Sequence, residues 1–154
     1  MDVEYRRLGP EQAGEVLTVQ RAAFVSEARL YGTVEIPPLI ESHDELRREL
    51  EANLIIGAFL GSRLVGSARL TVDGTTGWIS RVAVAPDQQG RGVGRGLLDA
   101  LEGAAPAGVV GFRLAAAGAS AANIAMYERR GYREVGRQPD AVGIELVVMA
   151  KARG

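Results

Sequence analysis

The stretch Asp87–Leu98, DQQGRGVGRGLL, sets a glycine at every second position (Gly90, Gly92, Gly94 and Gly96) directly before a run that reads as a helix. Each glycine inside a helix costs about 1 kcal/mol relative to alanine, so the spacing has to serve a need for bare backbone. The neighbouring residues define that need. Trp78 to Ala85 reads as a strand closing at Pro86, and after the loop Val93, Leu97, Leu98 and Leu101 recur at helical spacing. A glycine loop between strand and helix gathers unpaired N–H groups at a helix N-terminus, where donors and dipole together favour an anion. Arg91 and Arg95 stand in the same loop, with guanidinium groups suited to phosphate oxygens. An isolated Gly-x-Gly reads as readily as a solvated turn; the strand–loop–helix setting turns this one toward phosphate.

Outward from the loop, strand and helix signals continue. Val3 to Leu8 alternates as a strand does, and Gly9-Pro10 opens a helix on which Ala13, Val16, Leu17 and Phe24 keep helical spacing. From Val25 to Ile40 the periodicity fades, and Pro37-Pro38 argues against a helix there. Ser42 and Glu45 then have the form of a capping box, opening a helix with Leu46 and Leu50. The apolar runs Leu54–Leu60 and Leu64–Val72 join at Gly61-Ser62, and a turn at Asp73-Gly74 leads to Trp78–Ala85, which predicts an antiparallel meander. After the loop helix comes Val109–Ala116, and a strand, helix and strand in that order favour a parallel pair. Ser120 can cap a further helix through Arg130, Gly131 suits its C′ position, and Tyr132–Gly136 and Val142–Ala150 complete the strands. The expectation is one α/β domain over residues 1–154, with a mixed, mostly antiparallel sheet of about seven strands and about four flanking helices.

The totals narrow the function classes. Eighteen basic and 19 acidic residues leave a net charge of −1, which offers no electrostatic footprint for nucleic acid. The chain has no cysteine, so disulfides, thiolate metal sites and a cysteine nucleophile are all excluded, as a reducing compartment allows. The opening MDVEYRRLGPEQ is too polar for a signal peptide, and no apolar run approaches a membrane span. A cytoplasmic protein is the expectation.

Nucleotide motifs fail on the loop: no register yields Gly-x-Gly-x-x-Gly, and a Walker A loop needs a lysine that is not there. Gln89-Gly90-Arg91-Gly92-Val93-Gly94 does have the form Gln-x-x-Gly-x-Gly, and here the chain resembles the GNAT superfamily of N-acetyltransferases. The segment RVAVAPDQQGRGVGRGLLDALE is similar to that superfamily's strand, loop and helix motif. SAANIAMYERRGY, Ser120 to Tyr132, is similar to its second motif, Asn-x-x-Ala-x-x-Leu-Tyr-x-x-x-Gly-Phe. The order of elements, with helices ahead of a meander, fits as well.

The resemblance implies acetyl-CoA as co-substrate, with Val82, Ala83 and Val84 on a splayed strand presenting backbone groups to the pantetheine arm and the acetyl carbonyl. It implies that Gln89, Gly90, Arg91, Gly92, Val93, Gly94 and Arg95 hold the pyrophosphate. Tyr127 falls on the family's tyrosine, a general acid for the departing CoA thiolate; a phenol of pKa near 10 keeps its proton at neutral pH. Ser120 stands where the family usually has asparagine, and Asn123, one turn before Tyr127 on the same helix face, is placed to take over that contact.

Ala115 stands where branches that acetylate protein N-termini carry a catalytic glutamate, so that base is missing. An alkylammonium has a pKa near 10.4 and must lose its proton before it attacks. Glu27 is the base put forward, with Glu35, Glu41 and His43 as further candidates and Tyr31 as a pocket wall; taken singly each acid reads first as solvated surface, and His43 as a residue of the first turn of a helix. Trp78 reads as core, and Glu145 can face pocket or solvent. The expected function is acetyl transfer to a primary amine by direct attack on the thioester. A non-catalytic acyl-CoA sensor and a transferase using another acyl donor are the alternatives. The acceptor is left open among small amines, amino acids, antibiotics and protein N-termini, as is the choice between monomer and homodimer.

Overall fold

Leu54–Leu60 forms β2, and both its faces are covered. Ile55 and Phe59 join Leu8, Ala13, Val16, Leu17, Leu46, Leu50 and Leu64 in one core, while Ile56 and Ala58 join Leu97, Leu98 and Leu101 in another. A strand buried on both faces reads as a continuous apolar run, and helices on each side of one sheet are the result. The structure is a computed structural model that describes residues 2–154.

The sheet contains β1 (Glu4–Arg7), β2, β3 (Arg63–Asp73), β4 (Thr76–Val84), β5 (Gly111–Ala117), β6 (Arg133–Pro139) and β7 (Glu145–Ala152), in the order β1-β2-β3-β4-β5-β7-β6. The expected meander is present as β2-β3-β4, and β4 pairs with β5 in parallel across the intervening helix α4 (Val93–Ala104). The other five pairings among the described residues are antiparallel. On the far side lie α1 (Ala13–Tyr31) and α3 (His43–Ala52).

Three expectations are corrected. The first helix does not end near Phe24 but runs to Tyr31, because Gln20 and Ala28 continue its buried stripe and Gly32 closes it at φ +68°. Pro37-Pro38 does not block a helix: the prolines occupy the first turn of the single-turn α2 (Pro37–Ile40), where a missing N–H costs nothing. Ser120 precedes α5 (Ala121–Arg129) without making a side-chain cap bond. The C-terminal end of α5 is as expected, with Gly131 at φ +94° and the bonds Gly131 N–H to Glu128 and Tyr132 N–H to Tyr127 closing a Schellman motif. The capping box of α3 also forms, with Ser42 and Glu45 exchanging bonds of 2.9 and 3.1 Å.

Two further features set the site. Opposite Ala68 the β3–β4 register slips by one residue, so that Arg81 and Val82 share one partner, and Arg81 adopts φ +53°. The parallel ladder of β4 and β5 ends at Ile79 and Leu114. Beyond that point β4 has no partner on the β5 side among the described residues, and the two strands enclose a gap. No helix among the described residues is long and apolar enough to cross a membrane.

Candidate active site

The glycine loop is built by two left-handed residues. Gly90 and Gly92 have φ of +76° and +83°, values an L side chain adopts only with strain, and Gly92 is the N-cap of α4. The chain thereby turns sharply enough to leave the N–H groups of Val93, Gly94 and Arg95 at the free end of the helix; Gly96 is the first to bond back, to the Gly92 carbonyl at 3.0 Å. Gly96 answers a different need, since a Cβ there would run into the Tyr5 hydroxyl group crossing from β1. A bidentate ion pair of 2.7 and 2.8 Å from Arg63 fixes Asp87 at the start of the loop and holds its carboxyl well below the usual carboxylate range. The Gln89 amide donates to the Val84 carbonyl at 3.2 Å and ties the loop to β4.

This loop closes one end of a cleft of about 500 Å³ between β4, α4, α5 and the C-terminal half of α1. Of the residues expected to contact the co-substrate, Val82, Val84, Gln89, Gly90, Gly92, Val93 and Gly94 line it, as do Ser120, Asn123 and Tyr127 from α5 and its approach. Ala83 does not line it: its side chain is buried and only backbone is left to serve the cleft. Arg91 and Arg95 are exposed beside the loop rather than in the cleft wall, and Arg95 Nη2 lies 3.3 Å from where a Cβ on Gly92 would stand. The α1 residues Phe24, Ser26 and Leu30 complete the wall. Ser26 and Leu30 escape the sequence reading because the helix continues past the point where its apolar spacing fades, although Gln20, Glu27 and Tyr31 keep that spacing.

A second cavity of about 260 Å³ occupies the gap between β4 and β5 and shares Phe24, Glu27, Val82, Asn123 and Tyr127 with the cleft. Ala115 lines this cavity and offers it only a methyl group. Trp78, expected in the core, is half-buried and lines the cavity as well. Arg81 and Asp140 belong to the same wall and were not anticipated; the one visible signal was a charged residue between the apolar Ile79 and Val82.

Tyr127 and Glu27 stand where the two cavities meet. Tyr127 is buried, packs edge-on against Tyr132 at 6.2 Å, and has no hydrogen bond to its hydroxyl among the described residues. Burial, and secondarily the Glu27 charge, push its phenol up to about 12. Burial also raises the Glu27 carboxyl above its ordinary value, helped by Asp140 and opposed by Arg81. A carboxylate that costs free energy to ionise takes up a proton readily, and a phenol beside it keeps its own.

The other candidate bases lie elsewhere. Glu41 is not solvated surface: it is buried, bonded by Arg69 at 2.9 and 3.1 Å and by Gln20 at 2.9 Å. Burial raises its pKa, but those hydrogen bonds and the charges of Arg69 and Arg81 outweigh it and hold the carboxyl below its ordinary value. Glu35 is exposed, and His43 is exposed in the first turn of α3. Tyr31 accepts the Ala119 N–H at 3.2 Å, joining α1 to the β5–α5 loop instead of lining either cavity. Glu145 is exposed and paired with Arg137 at 2.7 Å.

The model of the acetyltransferase (GNAT) domain matches residues 28–153. The chain belongs to the GNAT acetyltransferase family. With the family comes acetyl-CoA as co-substrate. No curated protein matches the chain. Among solved structures, this GNAT domain is similar to the PaiA N-acetyltransferase of Thermoplasma acidophilum in complex with coenzyme A, at 22% identity over 99% of each chain and a TM-score of 0.79. It is similar to the ribosomal-protein-S18-alanine N-acetyltransferase of Escherichia coli at 22% identity, over 99% of this chain and 95% of that one, with a TM-score of 0.78. It is also similar to YncA of Salmonella typhimurium with its cofactor acetyl-CoA, at 19% identity over 100% and 95% of the two chains, TM-score 0.79. At these identities the likeness is one of fold.

Proposed function

We propose that the protein is an N-acetyltransferase that moves the acetyl group of acetyl-CoA to a primary amine by direct attack on the thioester. The observation that carries this reading is the meeting of two cavities at Glu27 and Tyr127, one ending in the glycine loop and the other opening on the β4–β5 gap. The loop suits a pyrophosphate: two left-handed glycines and three free N–H groups make a cradle that a Cβ at Gly90 or Gly92 would strain. Backbone along β4 past Ile79, unpaired on the β5 side, offers donors to the thioester carbonyl oxygen as charge develops there.

Glu27 serves as the base. Its raised pKa lets it accept the proton that the ammonium must lose before nitrogen attacks the carbonyl carbon. As the C–S bond breaks, Tyr127 gives its proton to the sulfur, and the second proton that the nitrogen sheds on becoming an amide restores the phenol. The two roles are coupled through charge, because protonating Glu27 removes the negative charge that helps to hold the Tyr127 proton. Ala115 leaves the usual position for a glutamate empty of acid, and Glu27 approaches the same cavity from α1 instead.

A thermal-shift titration with acetyl-CoA beside NAD and ATP, followed by thiol release with a panel of amines, tests the reading. Stabilisation by acetyl-CoA alone, with thiol released by at least one amine, is the expected result. Binding with no release for any amine class would make the protein an acyl-CoA sensor, and no binding would remove the co-substrate.

A further inference from the structure

The buried carboxylate of Glu41 is already matched. Both its oxygens accept from Arg69, at 2.9 and 3.1 Å, and Gln20 adds a bond of 2.9 Å. Arg81 nevertheless stands against it, with Nε 3.7 Å from Oε1, too far for a hydrogen bond, and that nitrogen is buried without a partner. Arg81 reaches this place because the β4 bulge turns it out of the ladder at φ +53°; among the described residues no other non-glycine has a positive φ. The fold thus holds a strained residue that brings a second guanidinium to a carboxylate satisfied by the first. Strain of this kind persists where it serves a site.

Arg81 also lines the 260 Å³ cavity, as do Glu27 and Asp140. Asp140 accepts the Val142 and Ile144 N–H groups with one oxygen, which fixes its position on the cavity wall. The chamber wall therefore carries the Arg81 guanidinium, whose Nε has no acceptor among the described residues, together with two carboxylates, Trp78 and Pro38. Its volume lies below the roughly 300–1,000 Å³ of pockets for drug-sized ligands.

Resting on the acetyltransferase reading above, we propose that the acceptor is a small amine that itself carries a carboxylate, of the free amino acid class, bound with its carboxylate on Arg81 and its amino group at Glu27. A guanidinium donates two parallel bonds to a carboxylate, and the Arg81 Nε–H has no acceptor among the described residues. A polyamine would add positive charge beside Arg69 and Arg81. A protein N-terminus would bring a neutral amide where the guanidinium needs an anion. Burial, with the neighbouring Arg69 charge, holds the Arg81 guanidinium below its ordinary range, a penalty that a bound carboxylate relieves.

The test is thiol release from acetyl-CoA by the native protein with matched acceptors: free L-amino acids, the same compounds as α-carboxamides, spermidine, and a short peptide with a free N-terminus. Some free amino acids should be turned over with kcat/KM at least about a hundredfold above their amides, as expected when one partner of a desolvated charge pair is removed. Arg81→Gly suits the positive φ and removes the guanidinium; it should bring that ratio near one while acetyl-CoA still raises Tm as in the native protein. Amides, spermidine or the peptide turned over as well as the amino acids would overturn the carboxylate site and leave the acetyltransferase intact. No release by any acceptor, with acetyl-CoA still bound, would overturn both.

Discussion

Glu27 on α1 and Tyr127 on α5 face the same junction of two cavities, where burial, and secondarily the charge of the first, raises the pKa of the second. Tyr127→Phe tests the acid directly. The lost hydroxyl has no protein partner among the described residues, so folding should be unaffected and acetyl-CoA should bind as before. Turnover should fall about a hundredfold or more, the usual contribution of a positioned acid. Full turnover with unchanged affinity would remove Tyr127 from the chemistry.

Glu27→Gln separates function from stability. Because the folded state raises this carboxyl above its unfolded value, ionising it opposes folding, and that cost grows as pH rises through the folded pKa. The amide escapes the cost, so Tm at pH 7 should stay level or rise while kcat falls. The native enzyme should lose activity on acidification with an apparent pKa above 4.5, and the variant should lack that limb. A variant with both a lower Tm and an unchanged pH profile would contradict the assignment.

The legible part of this protein was the part governed by local rules. Leu54–Leu60 was bounded correctly because both its faces are buried and the end of α3 and the turn at Gly61 flank it, and Gly131 marked the end of α5 because only a left-handed residue closes that motif. The loop at Gly90 and Gly92 was legible for the same reason. What escaped was fixed by distant partners. The end of α1 faces a cleft, so its lining residues need not be apolar and its periodicity weakens at the site itself. Glu41 looked like surface because Arg69, which buries it, lies 28 positions away. Arg81 was hidden by a one-residue bulge that alternation cannot foresee.

Gly94→Ala and Gly92→Ala should have opposite effects on the free protein. At Gly94 the backbone is helical, and a methyl would meet Met126 Sδ at 3.5 Å, ordinary contact, so the change should stabilise by up to about 1 kcal/mol through helix propensity. The methyl also enters the cleft wall and should weaken acetyl-CoA binding. At Gly92, φ +83° strains any side chain, and Gly92→Ala should cost about 1–3 kcal/mol and lose affinity together. Chemical denaturation and acetyl-CoA titration of both variants read the two quantities, and a gain in affinity at Gly94→Ala would remove that glycine from the cradle.

Glu41→Gln should be the most damaging of these changes. Removing the carboxylate leaves the guanidinium groups of Arg69 and Arg81 with only the partly exposed Glu49, 3.9 Å from Arg69, to offset them, and breaking a buried pair costs about 3–5 kcal/mol. The folded state lowers the pKa of this carboxyl below the ordinary 4.5. Its stabilisation is therefore complete above that value and is lost as pH falls through the folded pKa. The stability gap between native protein and variant should thus be widest near neutral pH and close under strong acid. Urea denaturation at a series of pH values measures it, and a gap that persisted unchanged into strong acid would show that the loss comes from packing and not from the charge.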